Sequence, residues 1–340
     1  MTIRTCLAKH ILALCFISGA MFAAGSGELA GLARAYRETP NPIRRAALAS
    51  YGAAHQNDTT GPLARLALGV AEYEQKNYAE AIAALEPIQS KLPQIADYAA
   101  YYLAAARVEL SDAAADAAMA VAAVNELSPV HSSATLSPLS GKAWLVEARA
   151  RQTSDPAAAA RLLRDHYAEL PQPDGDLTLA ACYQAGHDFA HAADFYQRVY
   201  YRYVTGDAAT RAAAALVALK DLMGADYPAP LPEQVLRSAD RLMDLHEYAA
   251  AKAQYQAVLD QLPALEHEQA LVRIGGAGAL GGNASLAWPY LRDLVPVAPA
   301  AAAERLYYLE ECARRLNNDE AMMAAVKELG EKYPKSPWRL

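Results

Sequence analysis

The sequence predicts an all-α fold, an α-solenoid or superhelix of stacked helical hairpins. Three observations carry that expectation. One apolar spacing recurs seven times along the chain, and a proline follows the apolar stripe at a fixed distance in six of the seven copies. No segment alternates β-branched with polar residues as a half-buried strand would.

The first stretch, "MTIRTCLAKHILALCFISGAMFAAGSGELA", has Arg4 and Lys9 ahead of an apolar run from Ile11 to Ala24, then small residues at Ala23 to Ser26. That order is the pattern of a cleavable export signal, assigned to residues 1–25. The run is shorter than the roughly 20 apolar residues a permanent membrane span needs, so no stable span is expected. Cys15 in "LALC" offers a lipoprotein site as the alternative, but Leu14 before it is large for one. A periplasmic location follows from this reading. Residues 27–56 then read as two helices broken at "TPNP".

The repeats begin at "NYAEAIAALEPIQSKLP", where Ala81, Leu85, Ile88 and Pro93 lie four, three and five residues apart. The same intervals recur at Ala117, Val121, Val124 and Pro129, and at Ala251, Tyr255, Val258 and Pro263. They return at Ala287, Leu291, Leu294 and Pro299, and at Met322, Val326, Leu329 and Pro334. Ala192, Tyr196 and Val199 have Val204 in place of the proline, and Ala159, Leu163 and Pro171 have His166 at the third position. Residues four and seven apart share one helix face, so each copy is an amphipathic helix with one apolar stripe. The proline stops it. Twelve residues before the first anchor stand Gly69, Ala105, Ala180, Ala239 and Gly275, small enough for a preceding helix to cross closely against the anchor alanine.

First anchors are spaced 36, 42, 33, 59, 36 and 35 residues apart. Hairpins with periods near 34 resemble tetratricopeptide repeats. The long interval leaves room for one extra helix at 207–224, after which "ADYPAPLP" is too proline-rich to be helical. The expected organisation is a first helical-repeat segment over 26–224, a linker at 225–232 and a second segment over 233–340.

Removing residues 1–25 leaves 29 basic against 38 acidic residues, a net charge of −9. Such a chain lacks the cationic surface that nucleic acid requires. It also leaves Cys182 and Cys312 as the two thiols, which do not make a disulfide framework. "GAGALG" at 276–281 has the form of a dinucleotide fingerprint, yet it follows a helical stretch rather than a strand, so close helix packing explains it. His187 and His191 have a zinc-compatible spacing, but His187 falls in the turn "AGHD" and no third ligand accompanies them. No nucleophile elbow, phosphate loop or H-E-x-x-H pattern is present. No catalytic residue, metal ligand or cofactor is therefore assigned, and the chain as it stands is expected not to be an enzyme. Tyrosine clusters at 97–106, 195–209 and 305–311 read mainly as packing between helix layers. Tyr102 and Tyr203 are the candidates for ligand contacts on the concave face.

The order of "ADYAAYYLAAARVEL", "ACYQAGHDFAHAADFYQRVYYRYVTGDAA" and "YPAPLPEQVLRSADRLMDLHEYAAAKAQYQAVL" resembles the amino-terminal helical region of bacterial soluble lytic transglycosylases, over residues 60–340. The resemblance implies a curved superhelix followed by a separate lysozyme-like domain that cleaves peptidoglycan with a glutamate in a Glu-Ser pair. No glutamate of this chain is followed by serine, and it stops at "YPKSPWRL", where a further helix is expected. The resemblance thus implies a fragment or truncated reading frame that lacks the catalytic domain. Its expected role is a non-catalytic scaffold that shapes access for glycan strands and binds envelope proteins. The alternative is a stand-alone periplasmic tetratricopeptide-repeat protein mediating protein–protein interactions in the envelope.

Overall fold

The structure, a computed structural model, describes residues 25–114, 116–132 and 137–339. The export-signal reading falls almost wholly outside them. Among the described residues the protein is all helix, with no strand. It divides into two compact units, residues 1–171 and 172–340.

In the first unit, α1 (Gly25–Glu38) and α2 (Pro42–Ala54) are the two helices expected around "TPNP". Asn41 caps α2 by accepting from the Arg44 amide, and Pro42 occupies the first helical position, where its missing N–H is not needed. Then follow α3 (Thr60–Glu74), α4 (Tyr78–Leu85), α5 (Ala96–Ala114), α6 (Ala117–Glu126), a single turn Ser128–His131, α7 (Ser140–Gln152) and α8 (Pro156–Asp165). Consecutive helices pack on one another, and α3 also contacts α5, as α5 contacts α7. The second unit holds α9 (Asp174–Ala185), α10 (Phe189–Tyr203), α11 (Asp207–Met223), α12 (Pro232–Asp244), α13 (Tyr248–Val258), α14 (Ala264–Leu280), α15 (Ala284–Asp293), α16 (Pro299–Arg315) and α17 (Asp319–Lys332). Here α11 is the extra helix of the long interval. The 225–232 segment lies inside this unit, where Gln197 of α10 donates to the Tyr227 hydroxyl and the Pro228 carbonyl.

A single turn joins the helices of five hairpins. A residue with positive φ (Lys76, His187, His246, Gly282 or Asn317) is followed directly by the cap of the second helix (Asn77, Asp188, Glu247, Asn283 or Asn318). Each cap N–H reaches back five residues to the first helix, as Asn77 does to the Glu72 carbonyl and Asn318 to that of Ala313. That is a Schellman closure whose last residue also begins the next helix. The first apolar anchor stands four residues after the cap in every hairpin, which fixes which face turns inward.

That cap corrects the expected stripe of α6. Asp116 caps the helix by accepting from the Ala118 and Met119 amides. Four residues on is Ala120, and the inward stripe is Ala120, Val124 and Leu127 rather than Ala117, Val121 and Val124. Ala117 is exposed and Val121 is 62% exposed, whereas Leu127 is fully buried. The segment carries two overlapping stripes, and the one that buries the leucine wins. The last copy is corrected too: on α17, Ala325 and Leu329 are buried while Val326 is exposed.

Two of the small residues twelve before an anchor, Gly69 and Gly275, sit at close helix crossings, and the side chain they meet there is the second anchor. A Cβ added to Gly69 would lie 2.4 Å from Leu85 Cγ, and one added to Gly275 would lie 2.4 Å from Leu291 Cδ2. "GAGALG" is interior helix running to the end of α14. A Cβ on Gly276 would lie 2.4 Å from the Tyr308 ring.

Candidate functional site

In the first unit, tyrosines from three helices meet. Tyr73 ends α3, Tyr78 opens α4 and Tyr102 lies on α5. The Tyr73 and Tyr102 rings pack edge to face at 5.6 Å, with Tyr101 against Tyr102 at 5.1 Å and Tyr78 against Tyr73 at 5.8 Å. Such edge contacts suit the ring quadrupole. Burial pushes the hydroxyls of Tyr73 and Tyr102 up to about 12, so both are neutral phenols at physiological pH. Among the described residues neither hydroxyl has a hydrogen-bond partner.

Two ion-pair groups flank the rings. Arg37 of α1 grips Glu74 with two bonds of 2.8 and 2.7 Å. Arg149 of α7 reaches Glu109 at 2.6 Å and also bonds Asp112, both on α5. These carboxylates hold the Arg149 guanidinium firmly charged despite its burial. The result is a strip of half-buried rings and fixed charges across α1, α3, α5 and α7. Neutral rings with donor hydroxyls, flanked by charged bidentate groups, suit a polar ligand with flat apolar faces.

Tyr203, the other candidate contact, closes α10 in the second unit. It is half-buried against the α9–α11 core, with the Arg202 guanidinium 5.7 Å from its ring centre. Tyr102 and Tyr203 belong to different units. Most of the 195–203 cluster is packing: Tyr196 is buried with its hydroxyl donating to Gln184, and Tyr200 stacks edge-on with Tyr201 at 4.9 Å.

His187 occupies a positive-φ turn, while His191 pairs its Nδ1 with the cap carboxylate of Asp188 at 2.8 Å. Among the described residues no group of three or more His, Cys, Asp or Glu could hold a metal ion. Cys182 and Cys312 are buried free thiols, raised by burial to about 12 and about 11.

The sequence reading missed the buried carboxylates. Glu72 on α3 is fully buried, yet it receives Tyr36, Asn77 and Arg45. Glu304 on α16 is 1% exposed and receives Arg273 at 2.9 Å and Gln269 at 3.2 Å. Arg273 also bonds Asp240 of α12, tying three helices together. A Glu directly after small apolar residues, as in "GVAEYE" and "AAAERLYY", was the available signal. These carboxylates are satisfied by fixed partners. Glu126 is held above its usual range by burial, but pairs with Arg107 and accepts from Gln89.

Set against protein-family models and curated proteins, the sequence matches no family model and no curated relative.

Proposed function

We propose that this chain is a binding scaffold, an α-solenoid of tetratricopeptide-like hairpins that acts without chemistry of its own. The observation that carries this reading is the repeated hairpin, with one turn and one cap position used again and again. Repeated units that contact their neighbours build extended binding surfaces. The resemblance to the helical region of soluble lytic transglycosylases and the export-signal pattern supply the setting. In that setting the scaffold works in the periplasm beside a peptidoglycan lytic transglycosylase domain, shaping glycan access and holding envelope partners. Tyr73 and Tyr102 in the first unit, and Tyr203 in the second, offer ring faces that suit sugars.

The test uses residues 26–340 and purified peptidoglycan sacculi. The protein is expected to co-sediment with sacculi and to release no anhydromuropeptides. Tyr102→Ala is expected to weaken sedimentation roughly five- to tenfold, the loss of one stacking contact. Soluble product whose formation disappears with one glutamate substitution in a folded chain would refute the scaffold reading.

A second reading, a stand-alone scaffold for proteins of the envelope, is favoured by apolar side chains on α15 and the segment after it. Leu286, Val295 and Val297 are 73%, 87% and 85% exposed. Failure to bind sacculi, together with a stable complex with another envelope protein, would select it.

A further inference from the structure

His131, Trp144 and His166 come from three separate elements of the first unit and form a single stack. His131 ends the Ser128–His131 turn, Trp144 projects from α7, and His166 caps the end of α8. The His131 ring lies 3.6 Å from the indole at an interplanar angle of 13°. The His166 ring lies 3.7 Å from it at 15°. Both faces of one indole are therefore covered by imidazoles at van der Waals distance.

Each histidine also faces a carboxylate. His166 Nδ1 lies 3.0 Å from Glu169 Oε1, while Glu169 Oε2 accepts from Trp144 Nε1 at 3.2 Å and from Ser140 Oγ at 3.1 Å. His131 Nε2 lies 2.9 Å from Glu147 Oε2. This approach brings charge close without the alignment of a hydrogen bond, and neither buried ring nitrogen of His131 has a hydrogen-bond partner. Glu147 is 6% exposed and is held from its other side by Arg151 at 2.6 Å. Beyond them a shallow hollow is lined by Glu147, Arg151, Arg161 and Asp165. Two carboxylates, Glu169 and Glu147, thus face the two imidazoles, the second of them shared with Arg151.

The carboxylates are ionised at neutral pH. Burial raises Glu147, but His131 and Arg151 outweigh it and hold the group below its usual range. The hydrogen bond from His166 is the main cause that lowers Glu169. A neutral imidazole on an indole gains only stacking. A protonated one becomes a cation over the π face and an ion-pair partner for its carboxylate.

We propose that this stack is a proton-operated clasp. When His131 and His166 take up protons, each becomes a cation held between an indole face and a carboxylate. The Ser128–His131 turn and the exit of α8 are then drawn onto α7. Release of the protons towards neutral pH loosens both. The clasp links the turn that follows the α5–α6 pair to the α7–α8 pair, so external pH sets how firmly those two helix pairs are joined. This does not depend on the scaffold reading.

Trp144 reports on the clasp directly. In the full chain carrying Trp288→Phe and Trp338→Phe, its emission is expected to fall about twofold or more between pH 8 and 5, because imidazolium quenches a stacked indole. His131→Gln and His166→Gln should each remove part of that change, and the double variant should leave it flat. In the unmodified protein, amide exchange corrected for intrinsic rates should slow about threefold or more at 128–131 and 166–169 on going from pH 7.5 to 5.5. The exchange measurement needs no variant to fold. Emission that stays constant across that range, or exchange that is unchanged or faster in acid, overturns the clasp.

Discussion

Val204 is a β-branched residue in the left-handed region, with φ 49° and ψ −29°. It occupies the position that holds proline in the other copies, and α10 ends at it in a backbone reversal. Left-handed backbone disfavours L side chains by roughly 1–2 kcal/mol and valine more than asparagine. The side chain packs partly against the α12–α14 core, which offsets some of that strain. Val204→Asn is therefore expected to raise stability by about 1 kcal/mol, read as a higher urea midpoint at constant slope. A lower midpoint would mean that the packing outweighs the backbone. At this scale the sequence was legible for alanines and leucines, whose burial follows from periodicity. It was not legible for Glu72 or Glu304, because their partners lie far away in sequence and only packing brings them within reach.

Among the elements, the hairpin joins two local rules. A left-handed residue closes the first helix, and the next residue caps the second. Both lie within a few residues of the anchors, so "QKN", "AGHD" and "GGN" were readable as turns. The register of α6 was not, because "AAMAVAAVNELSPV" supports two stripes three residues apart. The choice between them rests on what Leu127 can bury against α5 and α7. The crossings make a sharper test. Gly69→Ala and Gly275→Ala would each drive a methyl into a buried leucine and are expected to lower stability by about 1–3 kcal/mol. Gly278→Ala meets only the Ala287 methyl at 3.6 Å, ordinary contact, and should be neutral or stabilising by about 0.5–1 kcal/mol. Chemical denaturation of the three variants measures the contrast. Equal losses at all three would show that the glycines serve something other than close approach.

On the scale of the whole chain, the compact units part at Pro171 and Gln172, between α8 and α9. Each has its own buried clusters, with α5–α7 centred on Leu127 in the first and α14–α17 on Leu291 and Cys312 in the second. A segment that buries its own core is able to fold alone. Residues 172–340 expressed separately are thus expected to give a helical circular dichroism spectrum and a cooperative thermal transition. A fragment that stays unfolded while the full chain folds would show that the second unit depends on the first. No described helix is long and apolar enough to cross a membrane.

The sequence by itself determined that the chain is helical, where several turns and breaks between helices fall, and that Gly69 and Gly275 stand at close crossings. These properties depend on periodicity, caps and turn residues, which act over a dozen positions or fewer. Only the tertiary structure decided the register of α6, the Arg273 link between Asp240 and Glu304, and the stacking of His131 and His166 on Trp144. Those depend on side chains 13 to 35 positions apart in the sequence, such as His131 and His166 about Trp144. No local pattern encodes such a meeting, because it exists only once the hairpins have packed against one another.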